Sequence, residues 1–125
     1  MKQPPPRPRG AKALASLEIG TDLRLVLTTL AAGPASASIA RTLVEERLAA
    51  CVHVLPPMTS VYRWRDRIEH DGEQQLVVKT TADRLDALCA RVLELHPYDL
   101  PELIVLPVAA GSLAYLDWVR SQTAG

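Results

Sequence analysis

The stretch that decides the fold runs from Ser60 to Thr81, SVYRWRDRIEHDGEQQLVVKTT. Both of its ends read as β-strand. Side chains alternate along a strand, so Tyr62 and Trp64 share one face while Val61, Arg63 and Arg65 share the other. Gln75 to Thr81, QLVVKTT, is the second arm. A hairpin must join them, and the residues allow two places for its turn. Asp71-Gly72 is the strongest hairpin dipeptide in the chain, and local chemistry favours it. A turn near Asp66-Arg67 gives longer, better-matched arms and makes Gly72 a bulge.

Working upstream, Cys51 to Leu55 reads as a strand that Pro56-Pro57 interrupts, because proline cannot donate to a ladder. Before it, Ile39, Ala40, Leu43, Val44 and Leu48 recur at helical spacing. With Pro34 suited to a first turn, this predicts a helix from about Pro34 to Ala49. Leu23 to Thr29 is a first strand. Downstream, Leu85, Leu88, Cys89, Val92 and Leu93 make an amphipathic helix that Thr81 or Asp83 can cap. It ends at His96, because Pro97 disfavours helical geometry in the residue before it. Leu103 to Val108 is a last strand, apolar on both faces and so expected to be covered on both. Ser112 then caps a short final helix with Leu113, Leu116 and Val119 on one side.

The order is β-α-β-β-α-β-α: an α+β, ferredoxin-like fold with an extra C-terminal helix. Helices on one face of a single sheet leave the other face bare. In a chain of 125 residues the simplest cover is another copy of the same chain.

Composition narrows the functional classes. Net charge is zero, which gives no electrostatic case for nucleic acid or a membrane surface. No apolar run reaches the roughly 18 residues of a membrane span. AKALASLEIG is too short and interrupted for a signal-peptide core, so a cytoplasmic protein with reduced Cys51 and Cys89 is expected. Residues 1–20, with MKQPPPRPRG at their start and Lys12 further on, read as a Pro/Arg-rich flexible or polyproline-like arm; residues 21–125 form the domain.

The segments LVEERLAACVHVLP, SVYRW, LVVKTTADRL and LHPYDLPELIVLPVAAGSLAYLDWV together resemble the CutA family of small divalent-ion tolerance proteins. The resemblance covers residues 23–120 and is most specific in Ala49-Ala50-Cys51-Val52, Tyr62-x-Trp64, Lys79-Thr80-Thr81 and His96-Pro97-Tyr98-x-x-Pro101-Glu102. It implies a tight homotrimer of ferredoxin-like subunits and a hairpin turn near Asp66-Arg67, where the family often has glycine in place of Asp66. It implies a function in divalent-ion tolerance, with copper binding described for members. The architecture is similar to PII-type signalling trimers, which bind small effectors in clefts between subunits.

The copper-binding reading of the family uses a cysteine on the first strand and a histidine pair before the proline. Here Thr28 and Leu95-His96 stand there, so His96 is the one imidazole left as a candidate metal ligand. A histidine at a helix C-terminus also serves simply as a cap. Cys51 and His53 share a strand face but are too few to enclose a metal, unless threefold symmetry assembles the site. A Cys-His nucleophilic pair is disfavoured. Cys89 and His96 lie about 10 Å apart along a helix, Cys51 and His53 about 6–7 Å apart on a strand, and no orienting acid or oxyanion turn stands nearby. No enzymatic activity and no organic cofactor are expected.

Tyr62, Trp64, Lys79, Tyr98 and Glu102 form another constellation. Aromatic walls with one cation and one anion suit a small polar ligand in a cleft, or equally a subunit interface, and Glu102 is a possible partner for Lys79. The acidic run Asp66, Glu69, Asp71 and Glu73 attracts divalent cations weakly, or merely keeps a strand edge soluble.

Overall fold

In the computed structural model, which describes residues 16–125, the decisive stretch turns at Arg65 and Asp66. Both residues lie in the left-handed region, with φ of 49° and 64°. Trp64 and Arg67 close the hairpin across this two-residue loop. Two consecutive positive φ values are the signature of a type I′ turn, whose twist matches that of the flanking strands. The turn expected from local chemistry at Asp71-Gly72 is overturned. So is the Gly72 bulge, because Gly72 pairs directly with Thr59 in an unbroken ladder. Long matched arms outweigh one favourable dipeptide, since each added cross-strand pair contributes a few tenths of a kcal/mol, roughly 0.2–1.

The elements in chain order are β1 (Leu17–Ile19), β2 (Leu23–Ala31), α1 (Pro34–Glu45), β3 (Cys51–Val54), β4 (Met58–Trp64), β5 (Arg67–Thr81), α2 (Ala82–Leu95), β6 (Ile104–Pro107), β7 (Ala110–Ser112) and α3 (Leu113–Thr123). The 15-residue β5 is the spine. On one side it pairs with β2 over the latter's whole length; on the other it pairs with β3 and then β4. β6 pairs with β2, giving the order β3/β4–β5–β2–β6, all antiparallel. That is the α+β, ferredoxin-like arrangement the residues imply. Between β3 and β4 the chain carries one residue more than β5 opposite it: Val54 faces Leu76, yet Met58 faces Glu73. The extra residue falls at Leu55-Pro56-Pro57, where proline removes ladder donors.

One sheet face is the core. Val26 and Leu30 from β2 and Leu76 and Val78 from β5 meet Ile39 and Leu43 of α1 and Leu88 and Val92 of α2. α1 stops earlier than its apolar spacing predicts. Arg47 adopts φ of 58°, the Leu48 amide reaches back to the Leu43 carbonyl at 3.0 Å, and the Arg47 amide to Val44 at 3.0 Å. This is a Schellman ending with arginine in the place glycine usually takes, and it swings Leu48 into the core. Thr81 occupies the cap position of α2 without bonding through its side chain. Ser112 does cap α3, accepting from the Tyr115 amide.

Among the described residues the opposite face is covered by α3 at one end, where Leu116 and Val119 pack on Leu23 and Ala50, and Thr29 and Glu73 are buried at the other. Elsewhere Leu25, Leu27 and Val77 are half-buried, and Ile104 and Leu106 are exposed. β6, expected to be covered on both faces, is an exposed edge strand in the single chain.

The N-terminal arm needs a correction at its boundary. Leu17–Ile19 forms a strand paired with β7, within the stretch read as arm. The Gly20 amide bonds Ala109 at 2.7 Å, and Arg120 of α3 ties down both Glu18 and Asp22. Residues 1–15 lie outside the described residues. No helix among the described residues is long and apolar enough to cross a membrane.

Candidate functional site

The site grows from the antiparallel register. Successive side chains of β5 alternate, so Glu69, Asp71, Glu73 and Lys79 share the face away from α1 and α2. Register sets Glu73 opposite Ala31 at the end of β2, and α2 ends at the same edge of the sheet. There the chain leaves α2 through His96, whose backbone is already extended (ψ 133°) as Pro97 demands.

His96 is 8% exposed and both of its ring nitrogens are engaged. Nδ1 accepts from the Tyr98 amide at 3.1 Å. Nε2 lies 2.9 Å from the Thr29 carbonyl oxygen, which only accepts. Together these contacts fix the neutral ring with its proton on Nε2. The ring also meets Tyr98 edge-on at 4.9 Å. His96 thus bolts the α2 exit to the end of β2. Thr28, at the position where the resemblance expects a cysteine ligand, points into the core with its hydroxyl unpartnered among the described residues.

Around this bolt stand hydroxyl–carboxylate pairs. Tyr98 Oη donates to Glu73 Oε2 at 2.7 Å. Thr29 Oγ1 donates to Glu102 Oε2 at 2.9 Å. Tyr62 Oη donates to Asp71 Oδ2. The Tyr62 phenol is pushed up to about 12, chiefly by that bond and then by desolvation. Burial, then the Glu73 bond, holds the Tyr98 phenol well above its ordinary value. Glu73 is 9% exposed, and no ion pair joins Glu73, Asp71 or Glu102 to a lysine or arginine among the described residues. The result is an anionic corner whose carboxylates are held by neutral donors.

Three of the five cleft candidates, Tyr62, Tyr98 and Glu102, belong to this corner or border it. Lys79 and Trp64 do not. Lys79 lies six residues along β5 from Glu73, about 20 Å at strand rise. Its Nζ donates to Tyr115 Oη at 3.1 Å and sits 5.2 Å from that ring's centroid. The anticipated Lys79–Glu102 pair is therefore absent: α3 brings a phenol to the lysine, and Thr29 takes the carboxylate. Trp64 stands at the hairpin tip beneath Arg65, 5.8 Å from its ring. Sequence reading placed Glu73 in an acidic run that attracts cations weakly or merely keeps an edge soluble, and missed its place beside Tyr98. Its signal was the alternation that puts every second residue of a long strand on one face. Cys51 and His53 share that face near Lys79, while Cys89 lies on α2 with its thiol pushed up by burial. Among the described residues, no group of three or more His, Cys, Asp or Glu side chains could hold a metal ion.

Residues 24–122 match the family model described as CutA1 divalent ion tolerance protein. The divalent-cation tolerance protein CutA of Thermus thermophilus is 48% identical over 99 residues, which cover 79% of this chain and 96% of that one. The human protein CutA is 38% identical over 120 residues, covering 96% of this chain and 67% of that one. Among solved structures, CutA from Synechococcus elongatus superposes with a TM-score of 0.84 at 44% identity, over 90% of this chain and 100% of that one. A second structure of the Synechococcus protein is described as complexed with a Bis-Tris molecule. The matched family model and relatives lead to one assignment: the chain belongs to the CutA1 family of divalent ion tolerance proteins.

Proposed function

We propose that the protein is a non-enzymatic homotrimer in the cytoplasm, linked to divalent metal-ion tolerance, that holds copper or another divalent cation weakly. The observation that carries the cation reading is the buried Glu73 carboxylate. It has a phenol rather than a cation as partner, and Asp71 stands two residues away on its face. A buried carboxylate without a countercharge favours a cation beside it. His96 enters as a ligand only by releasing one of its two hydrogen bonds, at a cost of roughly 1–3 kcal/mol. That cost makes weak binding the expected regime. The thiol of Cys89, pushed up by burial and then by the Asp86 carboxylate, supports a non-enzymatic role. The half-bare sheet face supports self-assembly, because a contiguous apolar face favours a partner.

The test is calorimetric titration of tag-free protein with Cu2+. Weak binding that falls in Glu73→Gln and in His96→Ala is expected. Equal binding in wild type and both variants overturns the cation reading. Light scattering at micromolar concentration is expected to give a trimer mass, and a monomer mass overturns the assembly.

A second reading, an effector-binding trimer with ligand clefts between subunits, has its own support. Bis-Tris, named with the Synechococcus relative, is a hydroxylated amine. Carboxylates flanked by phenols suit such a cation, with Tyr62, Tyr98 and Glu102 at the corner and Trp64 and Lys79 supplied from elsewhere on the trimer. Thermal stabilisation by an amine polyol, diminished in Glu102→Gln and Lys79→Ala, favours this reading over metal.

A further inference from the structure

The N-terminus of α2 opens on a cleft that shares no residue with the anionic corner. β5 ends there at Thr81, which pairs with Leu23 and so shares the side of the sheet that α3 covers. α3 runs past the same point with Arg120 and Thr123. Between them lies a cavity of about 300 Å3, lined by Asp22, Thr81, Asp83, Arg84, Arg120 and Thr123.

Three groups in this cleft lack a negative partner. The first is the helix end itself. α2 is 14 residues long, so its N-terminus carries the partial positive charge of a full helix dipole. Of its first-turn amides, that of Ala82 bonds the Asp22 carbonyl at 2.7 Å, and those of Asp83 and Arg84 have no carbonyl one turn back within the helix. The second is Thr81. It is 4% exposed, and its hydroxyl bonds neither the helix it precedes nor any other described residue. A buried hydroxyl that lines a cavity without a partner is a donor in want of an acceptor. The third is Arg84. Its Nε donates to the Arg47 carbonyl at 3.3 Å, and no carboxylate pairs with its guanidinium among the described residues.

A plain anion does not suit the cleft, however. Arg120 is already shared by Glu18, Asp22 and Asp117. Asp83 lines the same space and has no ion-pair partner among the described residues. One uncompensated cation, Arg84, and one uncompensated anion, Asp83, therefore border a single cavity. A bare carboxylate or phosphate would be repelled by Asp83. A molecule that carries both signs satisfies both residues. Its carboxylate takes the Thr81 hydroxyl, the α2 amides and Arg84, and its ammonium faces Asp83.

We propose that the cleft between the N-terminus of α2 and α3 binds a small zwitterion of the class of a free α-amino acid. The cavity stands at the lower end of the size range of ligand pockets, which suits a molecule of that size. Neither a metal ion nor a trimer enters this proposal, so its failure is separable from failure of the function proposed above.

Residue-resolved amide NMR on the full chain tests it, with glycine, acetate and methylamine as probes. Glycine at millimolar concentration is expected to shift the Asp83 and Arg84 amides. Acetate should do so only at higher concentration, and methylamine not at all. Thr81→Val keeps the side-chain volume and Arg84→Gln lies outside the core. Each is expected to weaken glycine roughly tenfold, as loss of one hydrogen bond to a charged group does. Asp83→Asn should bring acetate and glycine to similar affinity. No shift at the α2 N-terminus with glycine, or equal shifts in wild type and both variants, overturns the proposal. An equal response to acetate and glycine in wild type shows a plain anion site and overturns it too. Gly125 also lines the cleft, so a chain extended by two glycines is the control. It is expected to bind glycine as wild type does. Binding confined to the extended chain shows that the chain's own terminal carboxylate fills the cleft, and overturns the proposal.

Discussion

The two faces of the sheet are built from the same strands and have opposite fates. The face toward α1 and α2 buries Val26, Leu30, Leu76 and Val78 completely. The other carries the anionic corner at one end, Lys79 under α3 at the other, and half-covered aliphatic residues between. The first face holds the fold of one chain, and the second carries the groups on which the proposed contacts with cations, ligands or copies of itself rest. Stability and function are therefore separable by choosing which face to change.

Substitutions can break that division or sharpen it. The largest effect is expected on the helix-covered face. Leu43→Ala removes a fully buried side chain where α1 meets the sheet. It should cost about 2–5 kcal/mol in urea unfolding. Leu106→Asp, on the other face, should leave secondary structure intact by circular dichroism but convert the proposed trimer to monomer by light scattering. A Leu106→Asp chain that unfolds instead would show that the bare face is needed by the single chain.

His96→Ala comes next, since it strips two buried contacts from the α2 exit. A loss of about 1–3 kcal/mol is expected from the orphaned Thr29 carbonyl and Tyr98 amide. His96→Gln should recover part of it if the role is structural.

Smaller effects concern titration. The Tyr62 phenol, pushed up to about 12, keeps its proton in the fold over a range where the unfolded chain has lost it. Stability should therefore fall as pH rises above the unfolded value near 10. Ultraviolet titration should show two late tyrosines, Tyr62 and Tyr98, of which Tyr62 moves down in Asp71→Asn. The Asp22 carboxyl is held below its ordinary value, first by its bond to Arg120. Its contribution is present above the unfolded value near 3.9 and lost as pH falls through the lower folded one. In Arg120→Ala the Asp22 shift should vanish in a carboxyl-resolved NMR titration. The stability change should stay within about 1 kcal/mol, as for other exposed ion pairs.

Much of the fold was legible because its signals are periodic. The spacing of Ile39, Leu43, Leu85, Leu88 and Val92 marked both helices, and Pro97 marked the exit from the second. The hairpin turn was not legible from local chemistry. Asp66 tolerates left-handed geometry but Arg65 is a poor turn residue, and only the pairing of whole strands put the turn there. β1 was hidden for a different reason. A three-residue strand joined by an ion network to a helix roughly a hundred residues away leaves no local pattern. In the candidate site, His96, Tyr98 and Glu102 could be named as a group because they are close in sequence. Glu73 and Asp71, named only in the acidic run, could not be tied to that group, and Thr29 could not be named as a site residue, because β5 and β2 bring them there from distant parts of the chain. Lys79 was noticed correctly as a cation in an apolar strand, but its phenol partner lies 36 residues away on a helix whose docking no local pattern records.

The single extra residue at Leu55-Pro56-Pro57 acts on the sheet as a frameshift acts on a message. Before it, odd-numbered side chains such as Cys51 and His53 share a face with Lys79; after it, even-numbered ones such as Tyr62 and Trp64 share that face with Glu69 and Arg67. Deleting one proline would remove the shift and leave Tyr62 opposite Glu69, whereas a regular ladder through all the residues present would carry the first frame into the second half. Tyr62 would then leave Asp71, and Val61 and Arg63 would take the face now held by the aromatics. An interruption that looks like a defect in a strand thus decides which half of the hairpin's side chains the anionic corner can use.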